Sequence, residues 1–261
     1  VVVQLKSILS KLAVPAARSR KGQNGRLLVI GGSKQFHGAP LMALETASRF
    51  VDMAYFASTR ENAWLAKKLK LALKTFIYVN QRKIGFFAKK ADCILIGPGM
   101  IDDKHTVLLV FRMLKSFRDK PIVLDAGAIW AGDRNLLGSN VVVCPHAAEF
   151  RKLFGVEATQ KNAFECAKKF GCVICLKIGK GLVTDGKKIW LNSTGNQGMS
   201  KGGTGDVLAG LVAGFACKND LVLSARAGLY LNGLAADNLR KKHGFHYSAQ
   251  DLIEEVKKTR F

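Results

Sequence analysis

A glycine-rich loop that runs directly into an apolar segment constrains this chain more than any other feature of its sequence. Residues 196–210 read NQGMSKGGTGDVLAG, and Gly202, Gly203 and Gly205 give the backbone access to positive φ values. Successive N–H groups in such a loop can converge on one anion. The apolar run Val207–Cys217 predicts a buried helix whose positive N-terminal end faces the loop. The sequence therefore predicts a phosphate-binding loop at the start of this helix.

Asp206 lies where the loop becomes helix. We expect its carboxylate to be ionised, because the helix dipole and nearby N–H groups stabilise negative charge there. An ionised carboxylate can accept a proton. The alternative is that Asp206 is only an N-cap and the glycines only a tight turn. The three glycines, Thr204, the aspartate and an apolar helix in one run favour a base beside a phosphate site.

The composition indicates an α/β protein with a large core. The chain has 261 residues, 48% of them hydrophobic, and we expect residues 1–261 to form one domain. No stretch has the apolar length needed to span a bilayer, and the residues from Val1 onward lack the basic-then-apolar order of a signal peptide. We therefore expect a cytoplasmic location and no membrane partner.

The six cysteines lie mostly in apolar runs, which predicts free thiols in a reducing compartment. Cys172 and Cys175 form a Cys-x-x-Cys motif, but the motif lies in a strand-like run. Residues three apart on a strand point to opposite faces, so we do not expect this pair to hold a metal or to form a disulfide.

The chain is strongly basic, with 41 basic and 19 acidic residues and a net charge of +22. This balance predicts attraction to polyanions or to anionic small molecules. The basic residues are spread over many segments, and no zinc-finger, RNP or basic-zipper pattern occurs. We therefore expect no specific nucleic-acid partner.

Apolar runs alternate with helix-like segments along most of the chain. The run Arg26–Ile30 ends in Gly31-Gly32-Ser33 and precedes helical spacing over Ala39–Phe50. Such alternation predicts a mostly parallel sheet with helices on both faces. Further strands are predicted near residues 53–57, 75–79, 92–96, 121–125, 141–144 and 172–176, a hairpin over 182–184 and 188–191, and helices near 3–13, 61–72, 105–117, 160–170 and 221–239 and after a capping box at Ser248.

Glycine or polar residues follow several of the predicted strands. They are Gly97-Pro98-Gly99, Asp125, and His146 with Glu149. Each has a simpler interpretation alone, as a turn, as a cap, or as one exposed face of a helical turn. Because the carboxyl ends of parallel strands meet at one edge of a sheet, their common placement predicts a site at that edge.

With these motifs the chain resembles the ribokinase-like superfamily and, within it, the ADP/ATP-dependent NAD(P)H-hydrate dehydratases. The resemblance runs from about Lys21 to the C-terminus. Its most specific part is the lead-in Gly195-Asn196-Gln197-Gly198-Met199 followed by the loop at 202–210. The other matching segments are Gly25 to Ser33, Gly38-Ala39-Pro40, Gly97-Pro98-Gly99, Pro145-His146 and Glu149-Phe150.

The resemblance implies an α/β, ribokinase-like fold and a hydro-lyase that uses ADP or ATP, with Mg²⁺, to restore NADH or NADPH from their hydrated forms. It implies that Asp206 is the catalytic base and that Glu149 is associated with magnesium. Contacts with the hydrated dinucleotide are implied for Ala39, Gly99, His146 and Asp206. Contacts with ADP or ATP are implied for Lys177, Ile178, Gly179, Lys180, Gly181, Gly202, Gly203, Thr204 and Gly205. Relatives are often tetrameric, so a homo-oligomer is expected.

Several positions depart from the family pattern. Gly127 stands where a second aspartate is common after Asp125, and Ile178 and Gly181 alter the nucleotide segment. Lys201 precedes the glycine pair, where it can either reach the phosphates or face water. The epimerase domain that some relatives carry has no room before Lys21, so a separate NAD(P)H-hydrate epimerase is the expected pathway partner.

Two other functions stay open from the sequence. Kinases of vitamin precursors, such as a hydroxymethylpyrimidine or a thiazole alcohol, share the Gly-Thr-Gly-Asp motif and would leave a stable phosphorylated product. A basic nucleic-acid-binding protein on a kinase-like fold would bind with a steep salt dependence, whatever stands at Asp206.

Overall fold

A nine-stranded sheet forms the centre of the computed structural model, which describes residues 8–259. Its strands are β1 (Arg26–Ile30), β2 (Met53–Ala57), β3 (Phe76–Val79), β4 (Cys93–Ile96), β5 (Ile122–Leu124), β6 (Val141–Val143), β7 (Val173–Leu176), β8 (Leu182–Thr184) and β9 (Ile189–Leu191). They lie in the order β3-β2-β1-β4-β5-β6-β7-β8-β9. The strands from β3 to β7 pair in parallel, and β7, β8 and β9 pair antiparallel.

Helices connect most of the parallel strands and follow the sheet at its C-terminal end. The α-helices are α1 (Gly38–Ala47), α2 (Arg60–Leu69), α3 (Ile84–Lys90), α4 (Lys104–Ser116), α5 (Gly127–Trp130), α6 (Ala147–Phe154), α7 (Gln160–Phe170), α8 (Thr204–Ala216), α9 (Leu221–His243) and α10 (Ala249–Val256). Short 3-10 helices occur at Gln81–Lys83, Arg134–Leu136 and Gln197–Ser200.

Alternating side chains of the central strands are buried on opposite faces of the sheet. In β1, Leu28 and Ile30 join the apolar cluster under α3 to α7, whereas Leu27 and Val29 join the cluster under α1, α2, α8 and α9. Because both faces are covered, the strands are continuous apolar runs rather than alternating ones. The prediction of a mostly parallel sheet with helices on both faces is confirmed.

The helix α8 is buried on nearly every side, as its apolar sequence predicts. Leu208 and Val212 pack on the sheet, while Val207, Leu211 and Phe215 belong to a third cluster shared with α9 and α10. The burial fixes the direction of α8, whose first turn therefore points at the carboxyl edge of the sheet.

Most of the predicted elements are confirmed to within a few residues at their ends, including the hairpin and the capping box of Ser248 and Asp251. The helices α3, α5 and α6 were not predicted, because they have seven, four and eight residues and are too short for a periodic pattern to stand out. Of the helix expected over residues 3–13, Ile8 and Leu9 are helical and a turn follows; its first residues lie outside the described part of the chain.

The cysteines are all buried free thiols, as predicted. Cys172 packs in the cluster on one face of the sheet and Cys175 in the cluster on the other. The two thiols of the Cys-x-x-Cys motif therefore lie on opposite faces, as their spacing predicts. Within residues 8–259, no helix combines the length and the apolar character that crossing a membrane would need.

Candidate active site

A cavity of about 970 Å³ opens at the carboxyl edge of the sheet, where ligands of parallel α/β proteins bind. Its walls come from the segment after β7, the loop after β9, the first turn of α8 and one face of α9. The lining includes Lys177, Gly179, Lys180, Gly181, Thr204, Gly205, Asn232, Asp237 and Arg240.

The three glycines of the loop have different roles. All three glycines can adopt a positive φ, and Gly203 alone does so, with a φ of 95°. A Cβ atom on Gly203 would lie 2.6 Å from Met42 Sδ and 2.7 Å from Ala249 Cβ. Gly205 is already inside the first turn of α8, and Gly202 is exposed at the surface. The turn itself therefore depends on Gly203.

Two side chains fix the shape of this loop. Thr204 Oγ1 donates to Met199 O at 2.6 Å and to Lys201 O at 3.0 Å. Lys201 Nζ donates to the carbonyl oxygens of Phe245 and Tyr247, each at 2.6 Å. Lys201 is exposed, but its ammonium binds these two carbonyl groups and so ties the loop to the connection between α9 and α10.

Asp206 lies in the first turn of α8 and is partly buried. Burial, followed by the neighbouring carboxylate of Asp125, raises its pKa to about 7; Lys177 opposes the shift and Glu149 adds to it. The expectation of a fully ionised carboxylate is therefore wrong, since such a group is about half protonated at pH 7. A hydrogen bond from its own backbone N–H lowers the pKa of Asp206, but burial, followed by the charge of Asp125, outweighs that effect.

Asp125, Glu149 and Lys177 form a charged cluster beneath Asp206. Lys177 Nζ lies 2.7 Å from Asp125 Oδ1 and 3.8 Å from Glu149 Oε2, and the side chains of Asp125 and Glu149 are only 2% and 5% exposed. Burial would lower the pKa of Lys177, but the two carboxylates raise it above its usual value. Burial raises the pKa of Glu149 to about 6 against the charge of Lys177. The cluster therefore holds a buried ammonium among carboxylates.

His146 and Glu149 begin α6 with a capping box. His146 Nδ1 accepts from the backbone N–H groups of Ala148 and Glu149, and Glu149 Oε2 accepts from the backbone N–H of His146 at 2.8 Å. The interpretation of both as one exposed face is wrong for Glu149, which is buried, and right for His146, which is exposed. Burial and the charge of Lys177 lower the pKa of His146, which keeps Nδ1 unprotonated as an acceptor.

Gly99, in the loop after β4, packs against the start of α1, which contains Ala39. Gly99 has a φ of 70°, and a Cβ atom there would lie 2.9 Å from Phe36 O and from Pro40 Cδ. Ala39 is the second residue of α1, which lacks a side-chain cap at His37. α1 packs side by side with α8, because a Cβ on Gly210 would be 2.5 Å from Ala43 O. Both residues therefore lie at the same edge as Asp206, beside α1.

The segment 177–181 does not act as one unit. Lys177 reaches inward to Asp125, whereas Ile178 packs on the core cluster under α3 to α7. Gly179, Lys180 and Gly181 line the cavity, where a Cβ on Gly181 would meet the side chain of Leu229 at 2.9 Å. Of the loop residues expected at the nucleotide, Thr204 and Gly205 line the cavity as well.

Sequence reasoning missed the contribution of α9, which it treated as a packing helix. One face of α9 lines the cavity with Asn232, Asp237 and Arg240. Asp237 accepts hydrogen bonds from Gly195 N at 2.9 Å and Asn196 Nδ2 at 3.0 Å, so it holds the lead-in of the glycine loop. The only signal in the sequence is the spacing of these polar residues along one helical face.

The carboxylates of the charged cluster are the side chains to consider for binding of Mg²⁺. Mg²⁺ in nucleotide sites is usually held by one or two carboxylates together with phosphate oxygens and waters. Asp125 and Glu149 supply two carboxylates beside one ammonium. In the described part of the chain, no three or more His, Cys, Asp or Glu side chains are grouped so as to hold a metal. The residues therefore fit an ion that the nucleotide itself would largely coordinate.

Comparison with known proteins shows the family of the chain. The Carb_kinase family model, described as NAD(P)H-hydrate dehydratase, matches residues 27–258. The ADP-dependent (S)-NAD(P)H-hydrate dehydratase of Nitrosopumilus maritimus is 36% identical over 272 residues, which cover 97% of this chain and 94% of that protein. The bifunctional NAD(P)H-hydrate repair enzyme Nnr of Pyrobaculum aerophilum is 35% identical, and the match covers 92% of this chain and 51% of that protein.

A solved structure is similar over nearly the whole chain. The ADP/ATP-dependent NAD(P)H-hydrate dehydratase of Bacillus subtilis, co-crystallised with ATP and Mg²⁺, gives a TM-score of 0.83 at 26% identity, covering 97% of this chain and 95% of that one. The sheet, the glycine loop and the carboxylate at its helix define a ribokinase-like α/β protein. Since the family model and the relatives span almost all of the sequence, the chain belongs to the NAD(P)H-hydrate dehydratase family.

Proposed function

We propose that this protein carries out the ADP- or ATP-dependent dehydration of hydrated NADH or NADPH, which restores the reduced dinucleotide. The observation that carries the proposal is the partly buried carboxylate of Asp206, with a pKa of about 7, in the first turn of α8 and next to the glycine loop. A base whose pKa lies near neutral pH is well matched to removing a proton from a hydroxyl group. Relatives in the family are named as ADP- or ADP/ATP-dependent NAD(P)H-hydrate dehydratases, which supports the choice of these substrates.

In this mechanism Asp206 accepts the proton of the C6 hydroxyl of the hydrated nicotinamide ring. The C6 oxygen then attacks the terminal phosphorus of ADP or ATP, and the bond to the bridging oxygen breaks. Cleavage of the C6–O bond releases phosphate, and the departing phosphate accepts the proton from C5, which restores the C5–C6 double bond. N–H groups at the start of α8 would stabilise the charge on the transferred group.

The remaining predicted contacts divide between the two substrates. Ala39 and Gly99, beside α1, and the exposed ring of His146 would contact the hydrated dinucleotide. Gly179, Lys180 and Gly181, together with the loop from Gly202 to Gly205, would contact ADP or ATP. The position of Thr204, Gly205 and the first three of these residues along the large cavity supports this assignment. Ile178 would contribute through its backbone, since its side chain packs on the core.

Magnesium is expected with the nucleotide. Glu149 would hold the ion from the protein side, and the ion would supply positive charge to the phosphate oxygens. We propose that the chain folds as one domain and that the protein is cytoplasmic. We also propose that it forms a homo-oligomer, such as a tetramer. A separate NAD(P)H-hydrate epimerase would be its pathway partner.

The first experiment follows the absorbance of reduced nicotinamide after protein, Mg²⁺ and NADPH-hydrate are mixed with ADP or ATP. A nucleotide-dependent rise is expected, and Asp206→Asn should lower its rate by at least about 1,000-fold. Asp119→Asn is the matched control, because it makes the same change at an exposed residue before β5, at the opposite edge of the sheet; it should retain far more activity than Asp206→Asn.

Product analysis separates this reaction from the kinase alternative. A dehydratase releases free phosphate in equal amount to the NADPH formed, whereas a kinase leaves a stable phosphorylated product. The absence of any rise with either nucleotide, together with phosphorylation of a hydroxymethylpyrimidine or thiazole alcohol, would replace the proposal by the kinase function.

A further inference from the structure

Two lysines of one short segment have very different surroundings. Lys177 Nζ is enclosed with Asp125 and Glu149, and its side chain is 19% exposed. Lys180, three residues later, is exposed and donates from Nζ to Ser193 O at 2.8 Å at the outer wall of the cavity. Although the two lysines are close in the sequence, their different surroundings indicate different roles at the nucleotide.

Lys177 Nζ also lies against the first turn of α8. A Cβ atom on Gly205 would be 3.4 Å from Nζ, so the ammonium is in van der Waals range of the helix start. The start of a helix carries partial positive charge, and an ammonium beside it is unfavourable unless an anion lies close to both. Asp125 supplies one such anion, at 2.7 Å from Nζ.

The ammonium retains capacity for a further anion. Nζ has three N–H donors; one is used on Asp125 at 2.7 Å, and Glu149 Oε2 lies at 3.8 Å, beyond a normal hydrogen bond. At least one donor is thus without a hydrogen bond among the described residues, and Gly205 lies close to the ammonium. An anion placed there would meet the ammonium, the helix N–H groups and the base together.

We propose that Lys177 is a catalytic residue that binds the transferred phosphoryl group, that Asp125 is a positioning residue for its ammonium, and that Lys180 binds the rest of the nucleotide. The inference rests on the proposed function, because it assigns roles within the same site. A phosphoryl group attacked beside Asp206 spreads charge over its equatorial oxygens, which an ammonium on one side and helix N–H groups on the other stabilise.

The path of the chain explains how Asp125 positions this lysine. Asp125 follows β5 and Lys177 follows β7, so the lysine side chain crosses the end of β6. The backbone N–H of Lys177 donates to Pro145 O at 2.8 Å, which anchors the start of that crossing, and the Asp125 carboxylate anchors its end. Without Asp125 the ammonium loses the contact that directs it towards the start of α8.

The test compares kcat and KM for ADP in four variants and the wild type. Lys177→Met should lower kcat by about 100-fold or more and change KM for ADP by less than about threefold, since the lost contact forms mainly with the transferred group. Asp125→Asn should also lower kcat, but by a smaller factor than Lys177→Met. Lys180→Met should instead raise KM for ADP. Lys187→Met, on the exposed turn of the hairpin, removes one positive charge and should change neither constant.

Removing Lys177 alone leaves two buried carboxylates without their cation, which can destabilise the fold. The double variant Lys177→Met with Asp125→Asn removes one of them, so it should regain thermal stability without regaining kcat. Recovery of kcat along with stability would show that Lys177 has only a structural role and would overturn the inference.

The outcomes separate this inference from the proposed function. A wild-type protein that turns over NADPH-hydrate, with Lys177→Met affecting KM alone, overturns the catalytic role of Lys177 and leaves the dehydratase function intact. A wild-type protein that neither binds ADP in calorimetry nor turns over the substrate overturns both.

Discussion

Lys177 Nζ and Asp125 Oδ1 lie 2.7 Å apart although the two residues are 52 positions apart in the chain. They meet because β5, β6 and β7 are adjacent parallel strands whose carboxyl ends share one edge. The pair places a permanent positive charge directly beside the first turn of α8, and it sets the electrostatic environment of Asp206 together with Glu149.

The rate of the reaction should depend on pH through Asp206. The base acts in its ionised form, and its pKa is raised to about 7, so kcat/KM should rise with pH between about 6 and 8 and then level off. Asp125→Asn removes the charge that, after burial, raises this pKa most, so the rising limb should move to lower pH. A profile that is flat from pH 5.5 to 8.5 in the wild type would contradict the assignment.

Asp206 should also lower the stability of the fold at high pH. A carboxyl group whose pKa is raised from 3.8 to about 7 on folding favours the folded state while protonated, and this contribution is lost as pH rises through 7. Asp206→Asn should therefore increase the free energy of unfolding by about 2 kcal/mol at pH 8, after allowance for partial exposure, and by much less at pH 4. Urea denaturation of both proteins at the two pH values measures the difference. An equal effect at pH 4 and pH 8 would rule out titration of Asp206 as its cause.

The neighbouring glycines Gly202 and Gly203 should respond differently to alanine. Gly203→Ala forces a residue with a side chain into a φ of 95° and brings its Cβ to 2.6 Å from Met42 Sδ, so it should cost at least about 2 kcal/mol of stability. Gly202→Ala is the matched control, because among the described residues no atom lies within 4 Å of an added Cβ. It should change stability by less than about 0.5 kcal/mol. Thermal unfolding of both variants gives the comparison, and similar losses in both would contradict this account of the loop.

His146 should have separable roles in capping and in substrate binding. His146→Ala removes the acceptor for the N–H groups of Ala148 and Glu149 and should cost about 1 kcal/mol of stability. His146→Asn keeps a capping side chain, so it should largely restore stability while still raising KM for the hydrated dinucleotide. Because the pKa of His146 is lowered, the cap should persist as pH falls through 6.5 and be lost only at lower pH. An unchanged KM in both variants would limit His146 to the cap.

The sequence predicted the sheet, its covered faces and the loop at α8 because these depend on local apolar patterning and on glycine content. It could not predict the raised pKa of Asp206, since that depends on Asp125, Lys177 and Glu149, which meet only through the strand order. From the sequence, Lys201 could either reach the phosphates or face water. Its ammonium instead binds carbonyl groups of residues more than forty positions away, a contact that local patterning does not reveal. Roles that come from long-range contacts were the ones missed.

The packing of Gly203 against Met42 and Ala249 has a consequence for how the site is assembled. Met42 belongs to α1, near the start of the described chain, and Ala249 opens α10, near its end. A growing chain on the ribosome can therefore pair all nine strands before the turn at Gly203 is enclosed. Synthesis of α10 completes that enclosure, so a chain that lacks this helix would leave the turn at Gly203 without its neighbour Ala249.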